Sequence, residues 1–424
     1  MRNPKIRGTH LSGALLLALA LPLSAQSPDA APAGDVPAEA ATETTPEIPA
    51  EDETAMPADA SMAAPADEAA AAPAAAAAKP AAVDPALLDA EMLPRASRSL
   101  LLDAVRTNAG YFAVGERGHV LSSEDGKTWK QAAVPTRATL TSIATADGVL
   151  WAAGHDGVIV HSTDGGQTWT RRRASPWSYD LVDPSEGVPV MDLLFTDATH
   201  GFAIGAYSLM LVTTDGGVTW TPRSPFGDNA AASAPAEAEP VADEAADTAA
   251  EGDEWTFSED DLALDAESDP HLNAIARAGS GALVIAGERG TFLRSRDNGE
   301  TWTSKRLPYE GSMFGVLSWQ DDHILVFGLR GNVYESRDLG DTWTRVETGI
   351  TTSLMGGYAL PNGGAILVGA NGAVLTRADG DSPLVATAHA MPSGETPLLS
   401  GVLPLDDAGY LVIGDKGADL YRPK

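Results

Sequence analysis

Regularly spaced carboxylates are the side chains of this 424-residue chain that could do chemistry. A phrase that contains aspartate and glycine and ends in Thr-Trp occurs five times, at residues 122–129, 162–169, 213–220, 295–302 and 336–343. Such carboxylates could serve a glycosidase, but a short carboxylate, a hydroxyl and a positive-φ glycine also make a tight turn between two strands. We therefore predict that the phrase, here called the box, marks a hairpin and not a catalyst.

Two sets of box residues receive this structural role, and no catalytic residue is predicted among them. The aspartates predicted to bond the turn backbone are Asp164, Asp215, Asp297 and Asp338. The tryptophans predicted to fold into the core are Trp129, Trp169, Trp220, Trp302 and Trp343.

A Gly-x-x-Gly turn precedes the box and extends the repeat to seven units. It occurs at residues 115–118, 154–157, 287–290, 328–331, 369–372 and 414–417, with a degenerate copy at 205–208. Repeats of about 40 residues are typical of propellers and solenoids, and each unit contains short apolar runs of strand length. The predicted fold is all-β, a seven-bladed β-propeller over residues 93–424. Because the last unit ends after its third strand, we predict that residues 93–97 supply the fourth and close the ring.

Composition separates three further segments. Residues 1–25 combine Arg2, Lys5 and Arg7 with an apolar run and predict a secretory signal peptide cleaved before Gln26. Residues 26–92 are rich in Ala, Pro and acidic residues and predict a disordered tether. Residues 225–270 form a long acidic insertion, which is either a solvated loop or, around residues 254–265, a short partner-binding segment. We expect a secreted, periplasmic protein.

Charge and cysteine content exclude several classes of function. The formal net charge is −31, and the insertion alone carries 15 acidic and no basic side chains. Because nucleic acid repels such a chain, no nucleic-acid partner is predicted. The chain contains no cysteine, so we expect no disulfide, no thiolate chemistry and no lipid attachment. We also predict no direct membrane insertion after signal cleavage.

Basic residues recur at one place in the repeat. Arg117, Arg289, Arg330 and Lys416 each occupy the third position of a Gly-x-x-Gly turn. In a four-stranded blade these turns share a face with the connections between blades, whereas the boxes lie on the opposite face. The long connection with Trp177 and Tyr179 falls on the same face as the cations. The cations are either solvated turn tips or a docking patch for an acidic partner.

The turn, the box and the repeat count together resemble the photosystem II stability/assembly factor family over residues 97–424. This resemblance implies a seven-bladed propeller on the lumenal or periplasmic side of a membrane. It also implies a non-enzymatic assembly factor whose arginine patch, here Arg117, Arg289 and Arg330, contacts newly made membrane proteins. The chain lacks the lipidated cysteine of cyanobacterial relatives and the twin-arginine transit signal of plant relatives, and it looks like a proteobacterial periplasmic protein.

An enzymatic alternative starts from the same boxes, which also occur in sialidases and xyloglucan-cleaving hydrolases. The chain has no Arg-Ile-Pro segment of the sialidase type, and its repeat count fits neither group. Asp180, Asp183 and Glu186 are either a carboxylate pair or part of a solvated loop. The histidines are dispersed without zinc-ligand spacing, so no metal or cofactor is predicted. The predicted function is non-enzymatic binding or assembly of a membrane-associated protein, and the alternative is a secreted glycoside hydrolase.

Overall fold

The computed structural model describes residues 83–178, 185–226, 269–407 and 409–423. These residues form seven antiparallel sheets, and in each sheet the strands lie in chain order from the inside outwards. The predicted seven-bladed β-propeller is thereby confirmed. The signal peptide, most of the tether and nearly all of the acidic insertion lie outside the described residues.

The strands of the first three blades are β1 (Leu101–Thr107), β2 (Gly110–Gly115), β3 (Val120–Ser123), β4 (Lys130–Gln131), β5 (Leu140–Ala146), β6 (Val149–Gly154), β7 (Ile159–Ser162), β8 (Thr170–Arg173), β9 (Val190–Phe195), β10 (Gly201–Gly205), β11 (Met210–Thr213) and β12 (Thr221–Pro222). Small and β-branched residues fill the inner strands, and β9 is buried at every position. Such runs are typical of strands packed on both faces.

The strands of the remaining blades are β13 (Leu272–Arg277), β14 (Leu283–Gly287), β15 (Thr291–Ser295), β16 (Thr303–Arg306), β17 (Met313–Ser318), β18 (Ile324–Gly328), β19 (Val333–Ser336), β20 (Thr344–Arg345), β21 (Leu354–Ala359), β22 (Ala365–Gly369), β23 (Ala373–Arg377), β24 (Val385–Ala388), β25 (Leu399–Pro404), β26 (Tyr410–Gly414) and β27 (Gly417–Tyr421). Apolar clusters lie between neighbouring blades. The first contains Phe112 of blade 1 together with Ile143 and Trp169 of blade 2.

Close backbone approach explains the first glycine of the Gly-x-x-Gly turn. A Cβ on Gly115 would lie 2.0 Å from the carbonyl oxygen of Leu100, and one on Gly154 would lie 2.0 Å from that of Thr139. The innermost strand carries a register shift at this point in every blade of the described chain. Glycine is therefore required by the bulge, because any side chain would collide with backbone.

Buried carboxylates join the innermost strands of successive blades. Asp103 Oδ2 accepts a hydrogen bond from Ile143 N at 2.8 Å. Asp192 accepts from Ser142 Oγ at 2.9 Å and from Ile275 N at 2.8 Å. Burial raises the pKa of Asp103 well above its usual range, and the charge of Asp192 adds to this effect. These carboxylates therefore act as inter-blade ties and not as solvated charges.

The last blade closes differently from the prediction. Its sheet has three strands among the residues that the structure describes, and residues 93–97 do not pair with β27. Ala96–Arg98 instead form a 3₁₀ turn against β27, where a Cβ on Gly417 would lie 2.0 Å from the carbonyl oxygen of Ser97. A ladder strand is unavailable because Pro94 lacks an N–H and the N–H of Leu93 donates to the Gln131 side chain.

Residues 84–98 form what we call the N-terminal strap, which passes over the outer edges of blades 2, 1 and 7. Ala86, Ala90 and Ala96 of the strap are buried in the apolar clusters of these blades. The structure thus places residues 83–92, which the sequence assigned to the tether, in the folded body. The innermost strands of blades 7 and 1 also meet directly, since Ser400 Oγ donates to the carbonyl oxygen of Leu101 at 2.8 Å.

Candidate docking face

Lys416 of the last turn aside, the third residue of each Gly-x-x-Gly turn has a left-handed backbone. Its φ lies between 52° and 56° at Arg117, Asp156, Tyr207, Arg289, Arg330 and Asn371. Asp and Asn tolerate this conformation through local hydrogen bonds, whereas arginine and tyrosine do so at a cost of about 1–2 kcal/mol each. The face that these turns occupy, here called the turn face, therefore carries arginine where folding alone favours other residues.

The four predicted docking cations differ in their surroundings. Arg117 pairs with Glu91 of the strap at 2.9 Å, and Lys416 lies 3.8 Å from Glu395. Arg330 is exposed and forms no salt bridge within the described part of the chain. Arg289 is half-buried, and its carbonyl oxygen accepts a hydrogen bond from Arg306 at 2.8 Å. The cations lie on blades 1, 4, 5 and 7, so they form two neighbouring pairs and not a continuous ring.

The long connection contributes one described aromatic side chain to this face. Trp177 is 49% exposed and packs against the backbone at Gly187. Tyr179, Asp180 and Asp183 lie outside the described residues. Glu186 accepts a hydrogen bond from Ser178 Oγ at 2.6 Å, so this carboxylate is already engaged.

An apolar cluster lies on the turn face near the axis of the ring. Leu102 and Met355 are buried there, with Leu100, Phe314 and Leu398 partly buried against them. Each of these residues stands just before or at the start of an innermost strand. The sequence analysis missed this cluster, although an apolar residue at the second position of β1, β17 and β21 could have indicated it.

On the opposite face the box carboxylates are fully engaged in their own turns. Asp297 accepts from Thr301 Oγ1 at 2.6 Å, from Thr301 N at 2.9 Å and from Ser295 Oγ at 2.7 Å. The threonine hydroxyl and then the backbone N–H lower the pKa of Asp215 and of Asp297 to about 2. The same bonds lower the pKa of Asp164. A carboxylate held ionised in this way stabilises a turn and is a poor proton donor.

The box also joins neighbouring blades, which the sequence analysis did not predict. A Cβ on Gly166 would lie 2.4 Å from Phe112 of blade 1, and one on Gly340 would lie 2.3 Å from Phe292 of blade 4. Trp343 packs edge-on against the same Phe292 ring at 5.0 Å. Of the box tryptophans, Trp169 is buried, and Trp129, Trp220, Trp302 and Trp343 are partly buried.

Blade 6 keeps an aspartate turn at Asp379, but a buried ionic cluster takes the place of the box serine. Arg377 stands where other blades have the box serine or threonine, and it donates to Glu335 at 2.9 Å. His323 is also hydrogen-bonded to Glu335. Burial alone would raise the pKa of Glu335, but the bonds from His323 and Arg377 outweigh it and lower it to about 2. The cluster therefore holds a carboxylate that is already neutralised by its neighbours.

Two arginines of the outermost strand β8 bind backbone. Arg171 Nη1 donates to the carbonyl oxygen of Ala86 at 2.9 Å, and Arg173 Nη1 donates to that of Gly157 at 2.7 Å. Among the described residues, no three His, Cys, Asp or Glu side chains lie together as metal ligands. No helix in the described ranges is long and apolar enough to cross a membrane.

The fold defines this chain as a seven-bladed β-propeller, and the turn face carries arginine at three of its turns. The chain belongs to the DUF6242 beta propeller domain family, which it matches over residues 96–313.

Short segments match curated proteins. Over 50 residues the chain is 42% identical to the photosystem II assembly lipoprotein Ycf48 of one Prochlorococcus marinus strain, and over 51 residues it is 43% identical to that of another. Each match covers 12% of this chain and 14% of the relative, so the chain matches about one seventh of the length of these relatives.

Solved structures show the same fold at low sequence identity. YCF48 bound to a D1 peptide superposes with a TM-score of 0.52 at 15% identity, over 77% of this chain and 94% of that one. YCF48 from Cyanidioschyzon merolae gives a TM-score of 0.52 at 16% identity, over 78% and 98%. The extracellular domain of a putative hybrid two component system from B. thetaiotaomicron gives 0.52 at 13% identity, over 80% and 40%.

Proposed function

We propose that this chain is a non-enzymatic periplasmic factor that binds a membrane-associated protein through its turn face. One observation carries the proposal: three arginines, Arg117, Arg289 and Arg330, occupy left-handed turn positions on the same face. At Arg330 no salt bridge of the described residues offsets the strained backbone, which supports a role of this charge in contact with another molecule.

The relatives support a role in binding. A protein of the same fold was solved with a D1 peptide bound, and the curated relatives are named photosystem II assembly lipoproteins. In this chain the partner is a membrane protein or an intermediate in its assembly. Its binding surface must carry acidic groups, because attraction across an interface requires opposite charge. The predicted signal peptide supports a periplasmic location, which fractionation of cells and the mass of the processed chain would test.

The decisive experiment is affinity capture from a crosslinked membrane fraction. Because Arg117 pairs with Glu91 of the strap, the folding of the bait is first checked by its melting temperature. The bait variant Arg117→Glu, Arg289→Glu, Arg330→Glu reverses the charge at three turn tips, where substitutions away from such contacts usually change stability by less than about 0.5 kcal/mol each. We expect it to lose the partner that the unaltered chain captures. A matched control, Lys127→Glu, Arg296→Glu, Arg337→Glu, makes the same charge change on the box face and should retain it.

Two outcomes would overturn the proposal. Equal capture by both variants would show that the turn face does not bind the partner. Turnover of a glycan by the purified chain would establish the hydrolase in place of the binding factor.

A further inference from the structure

The strap shows how an acidic segment docks at one Gly-x-Arg-Gly turn. At blade 1 the N–H of Glu91 donates to the carbonyl oxygen of Arg117 at 3.3 Å, and the Glu91 carboxylate pairs with the Arg117 guanidinium at 2.9 Å. Gln131 of β4 holds the strap backbone on both sides of Met92. Its Nε2 donates to Glu91 O at 2.8 Å, and its Oε1 accepts from Leu93 N at 2.9 Å.

Blade 2 holds the strap with the equivalent residue of its outer strand. Gln131 pairs with Leu121 in blade 1, and Arg171 pairs with Val160 in blade 2, at the same register of the outer strand. Arg171 Nη1 donates to the strap carbonyl of Ala86 at 2.9 Å. A polar side chain at this register thus binds strap backbone in both blades, at residues 91–93 in blade 1 and at the 3₁₀ turn Pro85–Leu87 in blade 2.

Blade 5 presents the same pair of positions without an occupant from the described chain. Arg345 pairs with Tyr334 at the register of Gln131 and Arg171, and Arg330 stands at the position of Arg117. The Arg345 side chain is 61% exposed, with Glu347 at 3.9 Å as its ion-pair partner. Blade 4 differs, because Arg306 already donates to the carbonyl oxygen of Arg289.

We propose that the outer corner of blade 5 binds an extended acidic segment of the partner protein in the manner of the strap. The carboxylate of the segment pairs with Arg330, and its backbone carbonyl accepts from Arg345. The inference rests on the proposed function and adds the chemistry of the recognised segment. Strand β20 is two residues long and exposed, so an extended chain can lie beside it without displacing structure.

Charge complementarity fixes the occupant as acidic. Both positions of blade 5 are arginine, whereas blade 1 combines one arginine with a neutral glutamine. Because Glu347 lies 3.9 Å from Arg345, the positive charge of blade 5 that lacks a salt bridge within the described residues is that of Arg330. Two arginines also match two carboxyl or carbonyl groups of an extended segment, because guanidinium groups bind oxygen acceptors in defined directions.

The probe for this site is a labelled synthetic peptide with the sequence of residues 84–94, titrated into the purified full chain by fluorescence anisotropy. The strap keeps its own site in blades 1 and 2 occupied, because it is tethered at high effective concentration. We expect saturable binding that weakens by about tenfold or more with Arg330→Glu, since reversal replaces attraction with repulsion. Arg296→Glu on the box face should leave the affinity unchanged.

A double-mutant cycle tests the contact itself. A peptide with Glu91→Gln should bind the unaltered chain more weakly, and Arg330→Gln should then cause little further loss. No saturable binding, or equal affinity for the chain with Arg330→Glu, would overturn the assignment. Loss with Arg117→Glu and not with Arg330→Glu would also overturn it, because the peptide would then be displacing the strap. None of these results depends on capture of the membrane partner, which tests the proposed function separately.

Discussion

The two faces of the propeller use the same repeat in opposite ways. On the box face, carboxylates, hydroxyls and glycines satisfy one another within each turn, and the glycine also packs against the preceding blade. On the turn face, the third residue of six of the seven turns varies from Asp and Asn to Arg and Tyr while its backbone stays left-handed. Where the fold requires a side chain the repeat is uniform, and where the fold tolerates many side chains the variation can serve recognition.

Removal of a box tryptophan should give the largest loss of stability, because the box face supports the fold. Trp169 is 7% exposed and lies in the apolar cluster between blades 1 and 2. Trp169→Ala should lower the free energy of unfolding by about 3–5 kcal/mol, as for other large buried aromatics. Denaturant unfolding measures this loss. The control Trp177→Ala, on the turn face and 49% exposed, should change stability little; equal losses would contradict the contrast.

Removal of the strap should have the next largest effect. Deletion through residue 99 exposes the clusters that bury Ala86, Ala90 and Ala96. At about 0.8 kcal/mol per buried methyl group, the loss should be about 2–3 kcal/mol. Deletion through residue 82 spares these contacts and serves as the control. Equal melting temperatures for the two truncations would show that the strap does not hold the ring.

Acidification should act on the box face. The pKa values of Asp215, Asp297 and Asp338 lie near 2 in the folded chain, below that of an unfolded aspartate. Stability from these groups is therefore complete above about pH 4 and is lost as the pH falls towards about 2. Thermal unfolding followed between these limits measures the loss. Asp297→Asn should make the dependence shallower, and an unchanged slope would exclude this carboxylate as a source.

Relief of backbone strain on the turn face should give the smallest effect, and in the opposite direction. Arg330→Gly replaces a side chain at φ 55° by the residue that adopts this conformation freely. The free energy of unfolding should rise by about 0.5–1 kcal/mol, while capture of the partner should weaken. Asn371→Gly, at an already tolerant residue, should give a smaller gain. A loss of stability with Arg330→Gly would show that the arginine does serve the fold.

The sequence was most informative where the chemistry is local. The Gly-x-x-Gly turns and the boxes repeat at a period that allows few folds, so the blade count and the strand order could be read directly. The closure of blade 7 could not, because it depends on how residues 93–98 meet β27 across more than 300 residues of chain. The hydrogen bonds from Arg171 and Gln131 to the strap could not be predicted either, because they also join residues far apart in the sequence.

The position of the site was only partly predictable. Arg117, Arg289, Arg330 and Lys416 share a turn position, and the sequence therefore placed them on one face. It could not show that Glu91 and Glu395 already neutralise two of them, because these contacts bring together distant parts of the chain. The apolar cluster around Met355 likewise needs residues from four blades.

The strap also has a consequence for the order of folding. It packs against β27, so the first and last described segments of the propeller must meet before the ring is complete. Contacts over such separations make folding slow, because the entropy of closing a long loop is lost before the contacts can stabilise the chain. A chain that is still being synthesised can form individual blades, but it cannot close the ring. Chaperone contact with the open ring is therefore expected during that interval.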